Sequence, residues 1–123
     1  MNIKEFEEYI LKTYKIKPDY PFSDDNETAV FRHKETRKWF ALLMNIHPSR
    51  LGLSGEDKID VVNLKCPPVL MGSLLEERGF FPAYHMNKTH WLSVALSETT
   101  DENKIKFLLD VSFQATRGKD KNS

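Results

Sequence analysis

The feature that most restricts the fold of this chain is the stretch Trp39-Phe40-Ala41-Leu42-Leu43-Met44, six apolar residues in a row. The run is short for a helix, and a half-exposed strand would alternate apolar with polar side chains. Only a strand buried on at least one full face tolerates such continuity, so the run is expected to form a central strand of a sheet.

The flanking sequence supplies partners for that strand. Residues 28–33 are rich in β-formers and alternate moderately, and His33-Lys34-Glu35-Thr36-Arg37 reads as a polar hairpin tip. After a loop at 48–55, residues 58–65 have the β-branched content of a third strand. Three sequential antiparallel strands make the simplest meander.

Helices are expected at both ends and in the middle. Ile3, Phe6, Ile10 and Tyr14 recur at spacings of three and four, with Asn2 as cap, Glu5 completing a capping box and Pro18 closing the element. Pro67 and Pro68 suit the entry to a second helix, whose apolar face is Leu70, Leu74 and Leu75 and which Gly79 ends. A short extended piece, 81–86, precedes a strand at 91–96. Thr99, with Glu102 three residues later, caps a last helix that buries Ile105, Leu108, Leu109, Ser112 and Phe113. This order does not alternate as a parallel α/β fold would. The expected fold is α+β: an antiparallel sheet of about five strands, with the N-terminal, middle and C-terminal helices packed on one face. Residues 1–116 form one domain, and 117–123, without an apolar anchor, a mobile tail.

Composition excludes several classes of function. Of the 123 residues, 40% are hydrophobic, enough for an ordinary core without a staple. The single Cys66 forms no intramolecular disulfide, which fits a reducing compartment. Early carboxylates at Glu5, Glu7 and Glu8 do not suit an export signal, and no apolar run approaches the ~20 residues of a membrane-spanning helix. A cytoplasmic protein without a membrane partner is expected. Lys plus Arg and Asp plus Glu each number 18. That neutral total hides an acidic patch, Asp19, Asp24, Asp25 and Glu27, and a basic one, Arg32, Lys34, Arg37 and Lys38 against Glu35 alone.

No catalytic constellation emerges. His33, His47, His85 and His90 are scattered and read as partly exposed loop residues, and one cysteine builds no thiolate zinc site. Cys66 carries no nucleophile signature and reads as a small core residue. The acidic neighbours Asp24-Asp25, Glu56-Asp57 and Glu76-Glu77 are adjacent and cannot flank one substrate. Gly52-Leu53-Ser54-Gly55 lacks the ending of a phosphate loop and reads as a turn. Neither an enzyme, a metal nor a cofactor is expected.

Four blocks occur in a recognisable order: Arg37-Lys38-Trp39-Phe40-Ala41-Leu42-Leu43, Val62-Asn63-Leu64-Lys65-Cys66-Pro67, Pro82-Ala83-Tyr84-His85-Met86-Asn87-Lys88-Thr89-His90-Trp91 and Asp110-Val111-Ser112-Phe113. Together they resemble the MmcQ/YjbR family over nearly the whole chain to about Thr116, most specifically at Tyr84-His85-Met86-Asn87-Lys88 and Trp91. Pro67-Pro68 and Phe113 depart from the pattern, which has one proline beside a polar residue and frequently Tyr at those places. The resemblance implies a compact α+β fold similar to bacterial frataxin (CyaY-like) and a DNA-binding role through a paired-wing surface. It implies no enzyme and no cofactor.

The resulting functional expectation is binding of nucleic acid, duplex DNA in particular, through Arg32, Lys34, Arg37, Lys38, Lys65, His85, Lys88 and His90. Such side chains neutralise phosphates when they meet on one side of a sheet. Lys88, in a polar turn, is assigned with His85 and His90 to the ligand-facing surface, and Trp91 to the core as an anchor. A charged hairpin that merely protects a sheet edge is the competing reading. The alternative function is a protein-interaction or frataxin-like iron-associated module using Glu5, Glu8, Asp24, Asp25 and Glu27.

Overall fold

A computed structural model describes residues 1–21 and 28–118. Element α1 is Ile3–Tyr14, followed by β1 (Ala29–Arg32), β2 (Trp39–Ile46), a 3-10 turn (Pro48–Leu51), β3 (Ile59–Lys65), α2 (Pro68–Leu74), β4 (Phe80–Pro82), β5 (Trp91–Ala95) and α3 (Glu102–Thr116). The strands form one antiparallel sheet in the order β1-β2-β3-β5-β4. The apolar run is thus an interior strand, flanked by β1 and β3, and the α+β class and the meander are as the sequence implies.

All three helices cover one face. Phe6 and Ile10 of α1, Met71 and Leu74 of α2, and Ile105, Leu108 and Leu109 of α3 share a single core with Ala29, Phe31, Leu43, Val62, Leu64, Leu92 and Val94 of the strands. The capping box of α1 is complete: the Asn2 side chain accepts from the Glu5 amide and the Glu5 carboxylate accepts from the Asn2 amide. Such a cap stabilises a helix by about 1 kcal/mol.

The second face holds a smaller core of Val30, Leu42, Met44 and Val61. No helix covers it. Leu51 from the 3-10 turn and Tyr84 and Met86 from the loop between β4 and β5 pack there instead. Two apolar faces explain why 39–44 needs no polar residue.

Strict alternation fails at one place in β2. Phe31 pairs with Ala41 and Arg32 with Trp39, so Phe40 is an extra residue, a β-bulge. It turns both Phe40 and Ala41 to the helix face, while Trp39 stays on the other. On the other side of β2 the β2–β3 ladder ends at Ala41 and Leu64, leaving a gap between Phe40 and Lys65. Ser112 of α3 fills the gap, donating its hydroxyl to the Phe40 carbonyl at 2.6 Å and accepting from the Lys65 amide at 2.8 Å. One buried hydroxyl thus closes the end of the β2–β3 ladder.

Several expectations need correction. The cap of α3 is Asp101, not Thr99, because the Asp101 carboxylate accepts from the Asn103 and Lys104 amides. On α2, Leu70 and Leu74 face the core as expected and Met71 joins them, while Leu75 lies past the last turn and is exposed. The extended piece after Gly79 pairs only over Phe80–Pro82. His33 is in the hairpin loop as expected but is buried, not partly exposed: its Nε2 lies 2.8 Å from Thr116 Oγ1, and its ring packs on Phe40 and Phe113. Asp24, Asp25 and Glu27 lie outside the described residues, as does the expected tail from 119 onward. No helix among the described residues is long and apolar enough to cross a membrane.

Candidate nucleic-acid interface

The antiparallel order brings distant segments to one end of the sheet. The 33–38 hairpin lies where β1 ends and β2 begins, β3 finishes there at Lys65, and β5 starts there at Trp91, paired directly with Lys65. Turn residues 88–90 lead into β5, with the Trp91 and His90 amides donating to the Asn87 carbonyl at 2.9 and 3.3 Å. Arg32, Lys34, Arg37, Lys38, Lys65, Lys88 and His90 therefore share this end. His85 sits further in, its ring 3.9 Å from that of Tyr84.

Two of the cations rest on indole rings. Arg32 lies 5.7 Å from the Trp39 ring centre and Lys65 lies 5.9 Å from that of Trp91. Trp91 is half-buried and belongs to neither core, which corrects its expected role as an anchor. The reason is parity. Leu92 and Val94 point to the helices, so Trp91 and Ser93 must point to the other face. The pairs are separated by about two strand spacings from β1 to β3, roughly 10 Å.

The 83–90 loop is held from beneath. Buried Asn63 donates to the Tyr84 carbonyl at 2.8 Å, buried Ser93 accepts from the Tyr84 amide at 2.9 Å, and the Ser93 hydroxyl donates to Asn63 Oδ1. Both backbone groups of Tyr84 are thereby satisfied, and the loop that carries Lys88 toward the sheet end starts from a fixed point.

Charge at this end is weakly compensated. Arg32 donates to Asp19 at 3.1 Å. Among the described residues, Lys34, Arg37, Lys38, Lys65 and Lys88 form no ion pair. Lys34, Arg37, Lys38 and Lys88 are exposed and Lys65 is half-buried. Asp19 arrives by its bridge to Val30, which lays the segment after α1 along the β1 edge. That segment also contributes Lys15 and Lys17, which with Arg32, Lys34 and Arg37 line a cleft of about 170 Å³. Neither lysine stood out in the sequence, where they lie some way from the hairpin.

Cys66 is buried and burial pushes its thiol upward, so it stays protonated. Among the described residues no cluster of three or more His, Cys, Asp or Glu is suited to a metal ion.

Comparison with known proteins settles the relationship. The family model YjbR matches residues 11–115. The chain belongs to the YjbR family. It is 39% identical over 109 residues to the Bacillus subtilis "Uncharacterized protein YyaQ", covering 89% of this chain and 92% of that one. A Pseudomonas syringae crystal structure superposes with a TM-score of 0.92 at 44% identity, covering 95% of this chain and all of the other. A Deinococcus radiodurans crystal structure superposes with 0.64 at 25% identity, covering 87% and 73%. The block that carries most of the sequence resemblance, 84–91, is here the loop that Asn63 and Ser93 pin at Tyr84 together with the first residue of β5.

Proposed function

We propose that this YjbR chain binds duplex nucleic acid, DNA in particular, at the basic end of its sheet, and that it acts by binding without chemistry. The observation that carries the reading is the pairing of Lys65 with Trp91 and Arg32 with Trp39 at the end that also holds the 33–38 hairpin and the 88–90 turn. Those segments carry Arg32, Lys34, Arg37, Lys38, Lys65 and Lys88 against Glu35 and the Asp19 that pairs with Arg32. A local excess of this kind supports phosphate neutralisation even in a chain with no net charge. The span from β1 to β5 is three strand spacings, roughly 15 Å, which matches about four base-pair steps of a duplex backbone. His85 and His90 border the same surface.

Binding of a random-sequence duplex, followed by fluorescence anisotropy between 50 and 200 mM salt, tests the reading. Affinity that falls with a slope of about −4.5 to −5.5 in the log–log plot fits five or six neutralised phosphates. Absent or salt-independent binding rejects it. No observation favours the acidic alternative: Glu5 is engaged in the helix cap, and Asp24, Asp25 and Glu27 are outside the described residues.

A further inference from the structure

The cleft between the end of α1 and the hairpin has properties that duplex binding does not use. Five cations, Lys15, Lys17, Arg32, Lys34 and Arg37, meet there with Asp19 as the one carboxylate, and Asp19 is engaged by Arg32. A concave surface lined by one sign of charge focuses its field on an anion inside it.

Backbone geometry adds a second observation. Three non-glycine residues among those described have left-handed backbones, and two of them, Lys15 at φ 61° and Arg37 at φ 65°, line this cleft. Glycine or asparagine fits such positions at lower cost, so long cations there call for an explanation. For Lys15 the fold gives one: it ends α1, and its Nζ donates to the Lys12 carbonyl at 3.1 Å. For Arg37 the hairpin accounts for the backbone, its amide donating to the His33 carbonyl at 3.0 Å, but its guanidinium has no ion pair among the described residues and is left to face the cleft.

Size selects the ligand. At about 170 Å³ the cleft is smaller than the roughly 300 Å³ at which drug-sized sites begin. It suits a compact oxyanion and not a whole nucleoside. A phosphodiester carries one charge, whereas a phosphomonoester carries nearly two and presents three acceptor oxygens.

We propose that this cleft binds a terminal phosphate or pyrophosphate group, contacted by Lys17, Lys34 and Arg37, with Arg32 held at its wall by Asp19. The cleft shares Arg32, Lys34 and Arg37 with the duplex reading, and the two are told apart by Lys15 and Lys17, which only the cleft uses, and by Lys38, Lys65 and Lys88, which take no part in it.

The test is an NMR titration of the intact chain with pyrophosphate, with sodium sulfate at equal ionic strength as control. Saturable shifts confined to amides 15–19 and 32–38 are expected with pyrophosphate and not with sulfate. The double variant Lys17→Ala/Arg37→Gly should lose at least tenfold in affinity while keeping its melting temperature, since glycine relaxes the left-handed position. A second arm compares oligonucleotides with a 5′-phosphate and a 5′-hydroxyl: preference for the phosphorylated end assigns the group to a nucleic-acid terminus, and equal binding assigns it to a small free anion. Shifts that do not saturate, that spread equally to Lys65 and Lys88, that sulfate reproduces, or that persist in the folded double variant overturn the proposal.

Discussion

Lys65 and Trp91 face each other across the β3–β5 ladder, with the ammonium 5.9 Å from the indole centre on the face of the sheet that no helix covers. The contact joins two residues 26 positions apart, and an equivalent contact, Arg32 on Trp39, stands at the other side of the same end. Each ring gives its cation a preferred direction at modest energy, about 0.5–1 kcal/mol where solvent reaches it. Lys65 is thereby oriented without being neutralised, whereas Arg32 is also paired with Asp19.

If the duplex is bound at this end as proposed, that position makes Trp91 matter more for binding than for folding. Complete loss of a core tryptophan costs roughly 3–5 kcal/mol. Because Trp91 is half-buried, Trp91→Ala is expected to cost about half as much in chemical denaturation while weakening duplex binding severalfold. A loss at the full core value, with binding intact, would return Trp91 to the core.

Ser112 is the reverse case, a polar residue whose role is structural. Removing its hydroxyl leaves the Phe40 carbonyl and the Lys65 amide unsatisfied at the end of the ladder. A buried unsatisfied group costs about 1–3 kcal/mol. Ser112→Ala should therefore lower stability by that order, and hydrogen exchange should show the Lys65 amide, protected in the native chain, becoming fast. An unchanged Lys65 exchange rate would mean that the strands close up without the hydroxyl.

His33 makes stability depend on pH. Burial, first, and the nearby Arg117 and Lys38 charges lower its pKa from the usual 6.5, against a smaller upward pull from the Phe113 carbonyl. The neighbouring Thr116 hydroxyl donates to the Ser112 carbonyl, so its oxygen accepts from His33 Nε2–H, which fits a neutral ring. The unfolded chain then binds a proton that the folded chain refuses. Stability is retained above about pH 6.5 and lost as pH falls through the lowered folded value. Thermal unfolding from pH 7.5 to 5 should show this decline, and His33→Gln should flatten it. An equal decline in both chains would assign the effect to other groups.

Much of the architecture was legible in the residues themselves. The α1 capping box, the 39–44 strand, the meander and the inner face of α3 follow from local spacing, which survives folding unchanged. The errors share a cause: each depended on which distant residue arrives next to a given one. Asp101 outcompetes Thr99 because its carboxylate reaches two amides, and Trp91 leaves the core because parity with Leu92 and Val94 forbids it. His33 looked solvated within a polar hairpin, and only the return of α3 brings Phe113 and Thr116 over it. The eight expected interface residues were legible as a list, but the rings beneath two of them and the lysines after α1 required the register and the Asp19–Val30 bridge.

The most direct test of duplex binding uses the three cations that lie outside the phosphate cleft. In Lys38→Ala/Lys65→Ala/Lys88→Ala, the salt dependence of binding to a random-sequence duplex is measured beside that of the native chain, with melting temperature as the check on folding. Each phosphate contact contributes about 0.9 to the log–log slope, so the slope should shrink by about 2 to 3 and affinity at low salt should fall with it. A folded variant with the native slope and affinity would contradict the account, leaving the basic end of the sheet as a solvated edge and the 84–91 block as a signature of the fold.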